Sequence, residues 1–398
     1  MSIAASSARS RSRIGFPVVT FGSLVTMASA SAPSPFYPVL RAEMGFTPAL
    51  MTVVFAVYAL SLLSVLLVAG SVSDHVGRRP VLSLGFALLA LALLVFDQAT
   101  DVSGLILGRI LQGAACGLLV STLSATIADL EPPSLPGLAS VVNTVVPLLG
   151  LAAGALLSGL FLDLSAAPKA LVFDGFVATG LALALAVWLF PETSARIEGL
   201  FAALLPRVGV PASAREDFWS SAPALFATWA TGGLYLSLGA SIMTQVFGVR
   251  EAIPQGLVVT LLAGMGALAC LVARKRTGHA VMLYGTGAMG GGTLVCLVAI
   301  WQDSLALYLA ALAVVGTGFG TSFFGVLRTV VPAAAPRDRA ELFAAIFTLS
   351  YLAFGLPAVS AGLLVPVIGL PNTVTGYGAV VVAGAFTAGY LRMRKRLA

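Results

Sequence analysis

Apolar residues along this chain come in long runs separated by short polar turns. Twelve runs are evident, with edges soft by a few residues: 15–39, 48–70, 80–97, 103–128, 137–160, 168–190, 221–246, 254–273, 280–301, 304–327, 341–366 and 371–391. A helix needs about 20 mostly apolar residues to cross a bilayer, whereas a spanning strand needs only about 9–11 alternating ones. Length and the lack of alternation predict helices, which also satisfy their own backbone in lipid. The runs fall six and six around 191–220, the longest polar-leaning interval, which reads as a linker. Within it, "IEGLFAALL" is expected to form a short helix lying on the membrane surface. The expected fold class is an all-α integral membrane protein of twelve transmembrane helices, in two six-helix halves, 1–190 and 221–398. Such halves are the arrangement of repeat-built transporters, whose substrate site lies between them near the midplane.

Composition supports the membrane reading. Of 398 residues, 59% are hydrophobic and 10% charged, and the mean hydropathy is +1.01. A soluble domain carries about 25% charge. The loops are too short for a folded soluble domain, so an enzyme would need a site within the helices. Two histidines, scattered acids and no nucleophile constellation offer none. The three cysteines, Cys116, Cys270 and Cys296, all lie inside runs and read as small apolar packing residues. No metal or other cofactor is expected. The N-terminal "RSRSR", an apolar run and "ASASA" imitate a secretory signal. The apolar character continues through Phe36, Tyr37, Val39 and Leu40, so a retained first span is expected.

Charge orients the chain. With twelve spans and both ends cytoplasmic, eighteen of the 22 Lys and Arg fall inside, and only Arg41, Lys169 and Arg250 fall outside. Arg109 alone lies within a span. This is the positive-inside bias, and it explains the net charge of +6 without a nucleic-acid partner. The C-terminal "RMRKRLA" is placed to touch anionic lipid heads. High Ala, Gly and Arg with three Lys suggest a bacterial inner membrane.

The turn "GSVSDHVGRRP" joins the second and third spans. Gly70, Asp74, Gly77, Arg78 and Arg79 stand at the spacing of the signature loop of the major facilitator superfamily, which the chain resembles over essentially its whole length. Gly77 suits a sharp turn, and Gly70 a close approach to a neighbouring helix. The resemblance implies that Asp74 meets the positive end of the eleventh helix, near Arg339 and Glu341. It also implies that Arg78 or Arg79 pairs with an acid at the inner end of the fourth span, where Asp129 is placed. These contacts would latch the two halves on the inner side. His75 replaces the family's usual basic residue and is a candidate pH sensor. "ARKRTGHA", at the matching turn of the second half, keeps the basic cluster but has no acid.

In the fourth span, Arg109, Gln112 and Gly113 fit the family's Arg-x-x-Gln-Gly pattern, with Arg109 and Gln112 on one helix face. An intramembrane charge is a functional candidate by default, and the resemblance links this arginine to proton coupling through a nearby acid. No carboxylate lies mid-span, and Asp174 is the first choice of partner, with Glu43, Asp97 and Asp101 as alternatives. In the fifth span, "NTVVPLLGLAAG" keeps Pro147, Gly150 and Gly154 of the family's exporter pattern but has Val146 and Leu151 where glycines are usual.

The cavity is expected to draw on Ser23, Thr26 and Met27 of the first span, Cys116 of the fourth, Trp229, Tyr235 and Gln245 of the seventh, Phe319 and Phe323 of the tenth, and Tyr351 and Phe354 of the eleventh. These residues suit a lipophilic or moderately polar, mostly uncharged compound, because sites for multiply charged anions need several Arg or Lys. The expected function is proton-coupled efflux of hydrophobic or amphipathic small molecules such as drugs, by alternating access and as a monomer. The alternatives are proton-symport or uniport uptake of a neutral metabolite and, remotely, a non-transporting membrane sensor.

Overall fold

The computed structural model describes residues 3–397, with side chains described for all of these except 3–13, 202, 336 and 395–397. Arg9, Arg11, Arg13, Lys395 and Arg396, five of the eighteen basic residues expected on the cytoplasmic side, therefore lie outside the described side chains. Among the described residues the chain is helical, with no strand, and twelve long helical segments follow one another. They are α1 (Ile3–Ser31), α2 (Pro48–Ala69), α3 (Arg78–Asp97), α4 (Val102–Asp129), α5 (Leu138–Leu164) and α6 (Ala170–Leu189, opening on a π-turn), then α7 (Arg215–Gln245), α8 (Ala252–Ala273), α9 (Gly278–Trp301), α10 (Leu305–Val330), α11 (Arg339–Ile368) and α12 (Leu370–Leu397).

Among the described residues, eleven segments are long and apolar enough to cross a membrane. The exception is α7, which has the length, 31 residues, but is diluted by Ser, Thr and Gly. Its surroundings explain this: every residue from Ala230 to Met243 is buried against α8, α10, α11 and α12. A helix that touches little lipid is freed from the need for an apolar outer face. It also starts six residues earlier than its apolar run, inside the stretch read as linker. The first run breaks instead of continuing, into a 3-10 turn (Ser34–Phe36) and a short helix (Tyr37–Met44). Pro33, Pro35 and Pro38 lack the N–H groups that would extend α1. In the linker before α7, Leu200–Ala203 forms one α-helical turn and Ala212–Ala214 a 3-10 turn.

Packing repeats between the halves. α4 lies between α2 and α3, α1 packs on α5 and α4, and α6 packs on α3. Six helices later, α10 lies between α8 and α9, α7 packs on α11 and α10, and α12 packs on α9. Two seams join the halves, α2 against α11 and α5 against α8. Glycine permits the closest approaches. A Cβ on Gly154 would collide with the Ala28 carbonyl of α1, and one on Gly159 would lie 2.6 Å from the Ala252 carbonyl of α8.

One end of the bundle carries the 2–3 turn, the linker and most of the arginines, and is called here the basic end. Among the described residues, the hydrogen bonds that cross between the halves all lie toward the opposite end. Ser34 Oγ donates to Leu236 O at 2.9 Å, and Thr260 Oγ1 donates to Ala152 O at 3.0 Å. Asp163 accepts from the backbone N–H groups of Ala252 and Ile253 at 2.8 and 2.7 Å.

Candidate functional site

At the basic end, Gly77 turns the chain at φ +116°, a region that favours glycine, and a Cβ there would press on the Glu192 carboxylate. Arg78 pairs with Asp74 and with Asp129 of α4, the latter at 3.3 Å. Arg79 lies over the Trp188 ring and donates to the Trp188 carbonyl. Asp74 does not meet α11. Its carboxylate is on Arg78, and its carbonyl accepts from Ser194 Oγ and Ile197 N. Glu341 sits instead against Gly209 of the linker. Gly70 does not make the expected close approach to a neighbouring helix: the three atoms nearest to a Cβ there all belong to Leu66, one turn earlier in the chain. Among the described residues, the hydrogen-bond and ion-pair partners of the turn thus belong to the first half or to residues 191–198 that follow it.

The residue that organises this cluster is Glu192, which the sequence reading passed over as linker. Its carboxylate accepts from the N–H groups of Arg78 (2.7 Å), Arg79 (3.2 Å), Thr193 and Ser194. The first two are orphan donors at the start of α3, so Glu192 caps that helix from 114 residues away. Partial burial pushes the carboxyl up, but the four N–H donors outweigh it, and its pKa lies below the ordinary glutamate range. Thr193 Oγ1 donates to Asp129, and His75 Nδ1 lies 2.8 Å from the Ile197 carbonyl. Segment 191–198 is therefore a strap across the turn.

Toward the opposite end, Arg109 is the largest fully buried side chain, at 1% exposure. Its Nη1 donates to Gln112 Oε1 at 2.6 Å and approaches Ala30 O at 3.4 Å, while Gln112 Nε2 donates to Ser29 O at 2.8 Å. The sequence explains why the Ser29 carbonyl is free. The helical partner of Ser29 O would be the N–H of residue 33, which is proline. Arg109 and Gln112 thus close the broken end of α1, where a helix presents its negative pole. The guanidinium also lies 4.5 Å from the centre of the Tyr58 ring. Among the described residues no Asp or Glu is buried. Asp174 is exposed and makes no ion pair with Arg109. Glu43 is exposed, Asp97 is half-buried, and Asp101 caps its own helix α4 through Gly104 N at 2.9 Å.

Beyond Tyr58 runs an aromatic wall contributed by both halves. Phe55 of α2 meets Phe354 of α11 at 4.7 Å between ring centres. Trp229 of α7 meets Tyr351, Phe354 and Phe323 at 4.8, 5.9 and 5.5 Å. Phe319 approaches Gly232 beside this cluster. Cys116 is buried beside Tyr58, and the Trp229 indole N–H has no acceptor. On α1, Thr26 bonds its own helix at Gly22 O, Ser23 is buried, and Met27 packs against Gly150. Two expected cavity residues lie elsewhere: Tyr235 packs near Cys296 and Tyr308 within the second half, and Gln245 is exposed at the opposite end. Chemically, this is a buried cation next to an apolar aromatic surface at the joint of two bodies. Such a surface can bind and orient a small molecule. Among the described residues no cluster suited to a metal occurs.

Comparison with known proteins bears on this arrangement. Residues 19–358 match the profile of the Major Facilitator Superfamily. Multidrug resistance protein MdtL of Citrobacter koseri is 28% identical over 161 residues, covering 39% of this chain and 40% of that protein. Cephamycin export protein CmcT of Amycolatopsis lactamdurans is 33% identical over 150 residues, covering 37% of this chain and 29% of that protein. The chain thus matches less than half the length of these relatives. In three dimensions it resembles an inward-facing bacterial homologue of the human lysosomal transporter Spinster, with TM-score 0.76, 15% identity, and 96% of this chain and 97% of that one covered. It likewise resembles the xylose transporter XylE of E. coli, with TM-score 0.73, 14% identity, and 94% and 98% covered. At such identities the likeness shows the fold alone. A profile match across most of the chain, two six-helix halves and a site at their joint lead to one conclusion: the chain belongs to the Major Facilitator Superfamily of membrane transporters.

Proposed function

We propose that this transporter exports hydrophobic or amphipathic small molecules across a bacterial inner membrane in exchange for protons, as a single chain working by alternating access. The observation that carries the reading is the joint between the halves, where Arg109 lies under Tyr58 beside an aromatic wall built from α2, α7, α10 and α11. Aromatic rings give broad apolar contact, and a lone desolvated cation adds an electrostatic preference. The relatives named for multidrug resistance and cephamycin export support export. In this reading the basic end, with both termini, faces the cytoplasm, which the positive-inside bias of the Lys and Arg supports. In this reading Arg109 and Gln112 carry the coupling, and the 2–3 turn with Asp74, Arg78 and Asp129 takes part in the conformational switch.

A second reading, uptake of a neutral metabolite by symport or uniport, is favoured by one observation: among the described residues no buried acid stands near Arg109 to exchange a proton. Proton flux separates the two. Proteoliposomes with a pH-sensitive dye inside and an imposed proton gradient would be challenged with lipophilic drugs and neutral metabolites. Export coupled to protons predicts that a drug dissipates the gradient with wild type and not with Arg109→Ala. Transport of a metabolite without proton movement would establish the second reading.

A further inference from the structure

Helix α8 does not cap itself. Its N-cap residue, Glu251, is extended and its side chain makes no capping bond. The third residue of the helix, Pro254, has no N–H to satisfy. The two donors that open the helix, Ala252 N and Ile253 N, are taken by the two oxygens of one carboxylate, at 2.8 and 2.7 Å. That carboxylate is Asp163, near the end of α5 in the other half, 89 residues earlier. A helix start left without partners is costly, and a negative charge there also meets the positive pole of the macrodipole. Helix α8 therefore borrows its cap across the seam along which the halves must separate if this end is to open.

The surroundings make the seam tight at that level. Gly159, one turn before Asp163, lies against the Ala252 carbonyl, and Gly256 would meet the Ala155 carbonyl through any Cβ. At the basic end the reverse holds. Helix α11 begins after Asp338, which makes no side-chain cap bond, and Asp74, the acid expected there, is held by Arg78 within its own half. So one end of the molecule has an acid bridging the halves and the other has its acid withdrawn.

We infer that Asp163 is the outer gate residue of this transporter: it holds the halves closed on the extracytoplasmic side by capping α8, and its release accompanies outward opening. This rests on the alternating-access reading above. Opening would trade two charge-assisted N–H bonds for water. The loss of one helix cap corresponds to roughly a two- to thirtyfold shift in an equilibrium.

The test uses full-length protein in nanodiscs with spin labels on Gln98→Cys and Gln302→Cys. Both positions are exposed at the opposite end, one in each half, and the native Cys116, Cys270 and Cys296 are buried. Pulsed dipolar spectroscopy then reads the ratio of short to long distances. Asp163→Ala should raise the long-distance population by roughly two- to thirtyfold, and Asp163→Glu should restore much of the short one. Asp101→Ala, which removes a cap that α4 draws from its own sequence at the same face, should leave the ratio unchanged. Two wild-type populations whose ratio is the same in Asp163→Ala would overturn the gate and leave alternating access standing. So would an equal shift in Asp101→Ala, which would mark general loosening. A single wild-type distance that tetraphenylphosphonium and proton gradients leave unmoved would overturn the alternating-access reading and the gate with it.

Discussion

Glu192 and Arg109 show what a single side chain does when the fold gives it unusual partners. The Glu192 carboxylate is stabilised in its charged form by four N–H donors, so its folded pKa is depressed. The sign follows: its contribution is present above the ordinary glutamate pKa of about 4.3 and is lost as pH falls through the lowered folded value. Hydrogen exchange should therefore show residues 193–197 protected at pH 7 and opening under acid before the helices do. Glu192→Gln should lower that protection by roughly three- to tenfold at pH 7, since each neutral bond is worth about 1 kcal/mol and the site is partly solvated. It should also flatten the acid dependence. Arg109 makes a different prediction. A desolvated unit charge about 10 Å from a ligand, at an effective dielectric of about 20, contributes about 1.5–2 kcal/mol. Wild type should bind an anionic amphiphile about tenfold or more tightly than its cationic isostere, and Arg109→Gln should erase the difference. Competition binding at fixed pH reads both.

Among the elements, α5 is constrained on two sides, because it packs on α1 and on α8. Gly154 leaves room for the Ala28 carbonyl, and a Cβ there would also lie 2.5 Å from Ser31 Oγ. Gly154→Ala should cost about 1–3 kcal/mol by overpacking backbone that cannot rotate away. Thermal unfolding in detergent should report it as a lowered midpoint. Gly159→Leu acts on the other side of the helix. It should leave the first half folded while wedging α5 from α8, and so lengthen the distances between labels at the opposite end. The exporter-like glycine pattern of this span is legible in the sequence, but which neighbour each glycine serves is not. Val146 and Leu151 replace glycines, yet Leu151 still offers its carbonyl to Ser31 Oγ at 2.8 Å.

For the molecule as a whole, the two ends are in different conditions. The opposite end is bridged at Ser34, Ala152 and Asp163, while the turn at the basic end is strapped by 191–198 to its own half. Crosslinking of His75→Cys to Ala340→Cys should be low in the wild type, and it should rise several-fold when Asp163→Ala releases the opposite end. Unchanged crosslinking would separate the two ends energetically. The strap also ties the linker to the 2–3 turn, so cutting the chain within 191–198 should loosen that turn more than cutting near Gly209.

Sequence by itself determined the number and order of the helical segments, the two halves, the basic end and the turn at Gly77. These follow from local facts: run length against bilayer thickness, charge against membrane side, and a backbone angle that suits glycine. It also placed Arg109 and Gln112 in the membrane, though not what they do there. Their role at the end of α1 was partly written in Pro33, which strips Ser29 O of its helical partner. Only the tertiary structure decided that Asp74 stays with Arg78, that Asp174 is exposed while Arg109 is buried, that Glu192 caps a helix 114 residues away and that Asp163 caps one across the seam. Each of those depends on which helix ends meet in space. A carboxylate has no periodicity and carries no local sign of the N–H groups it will find.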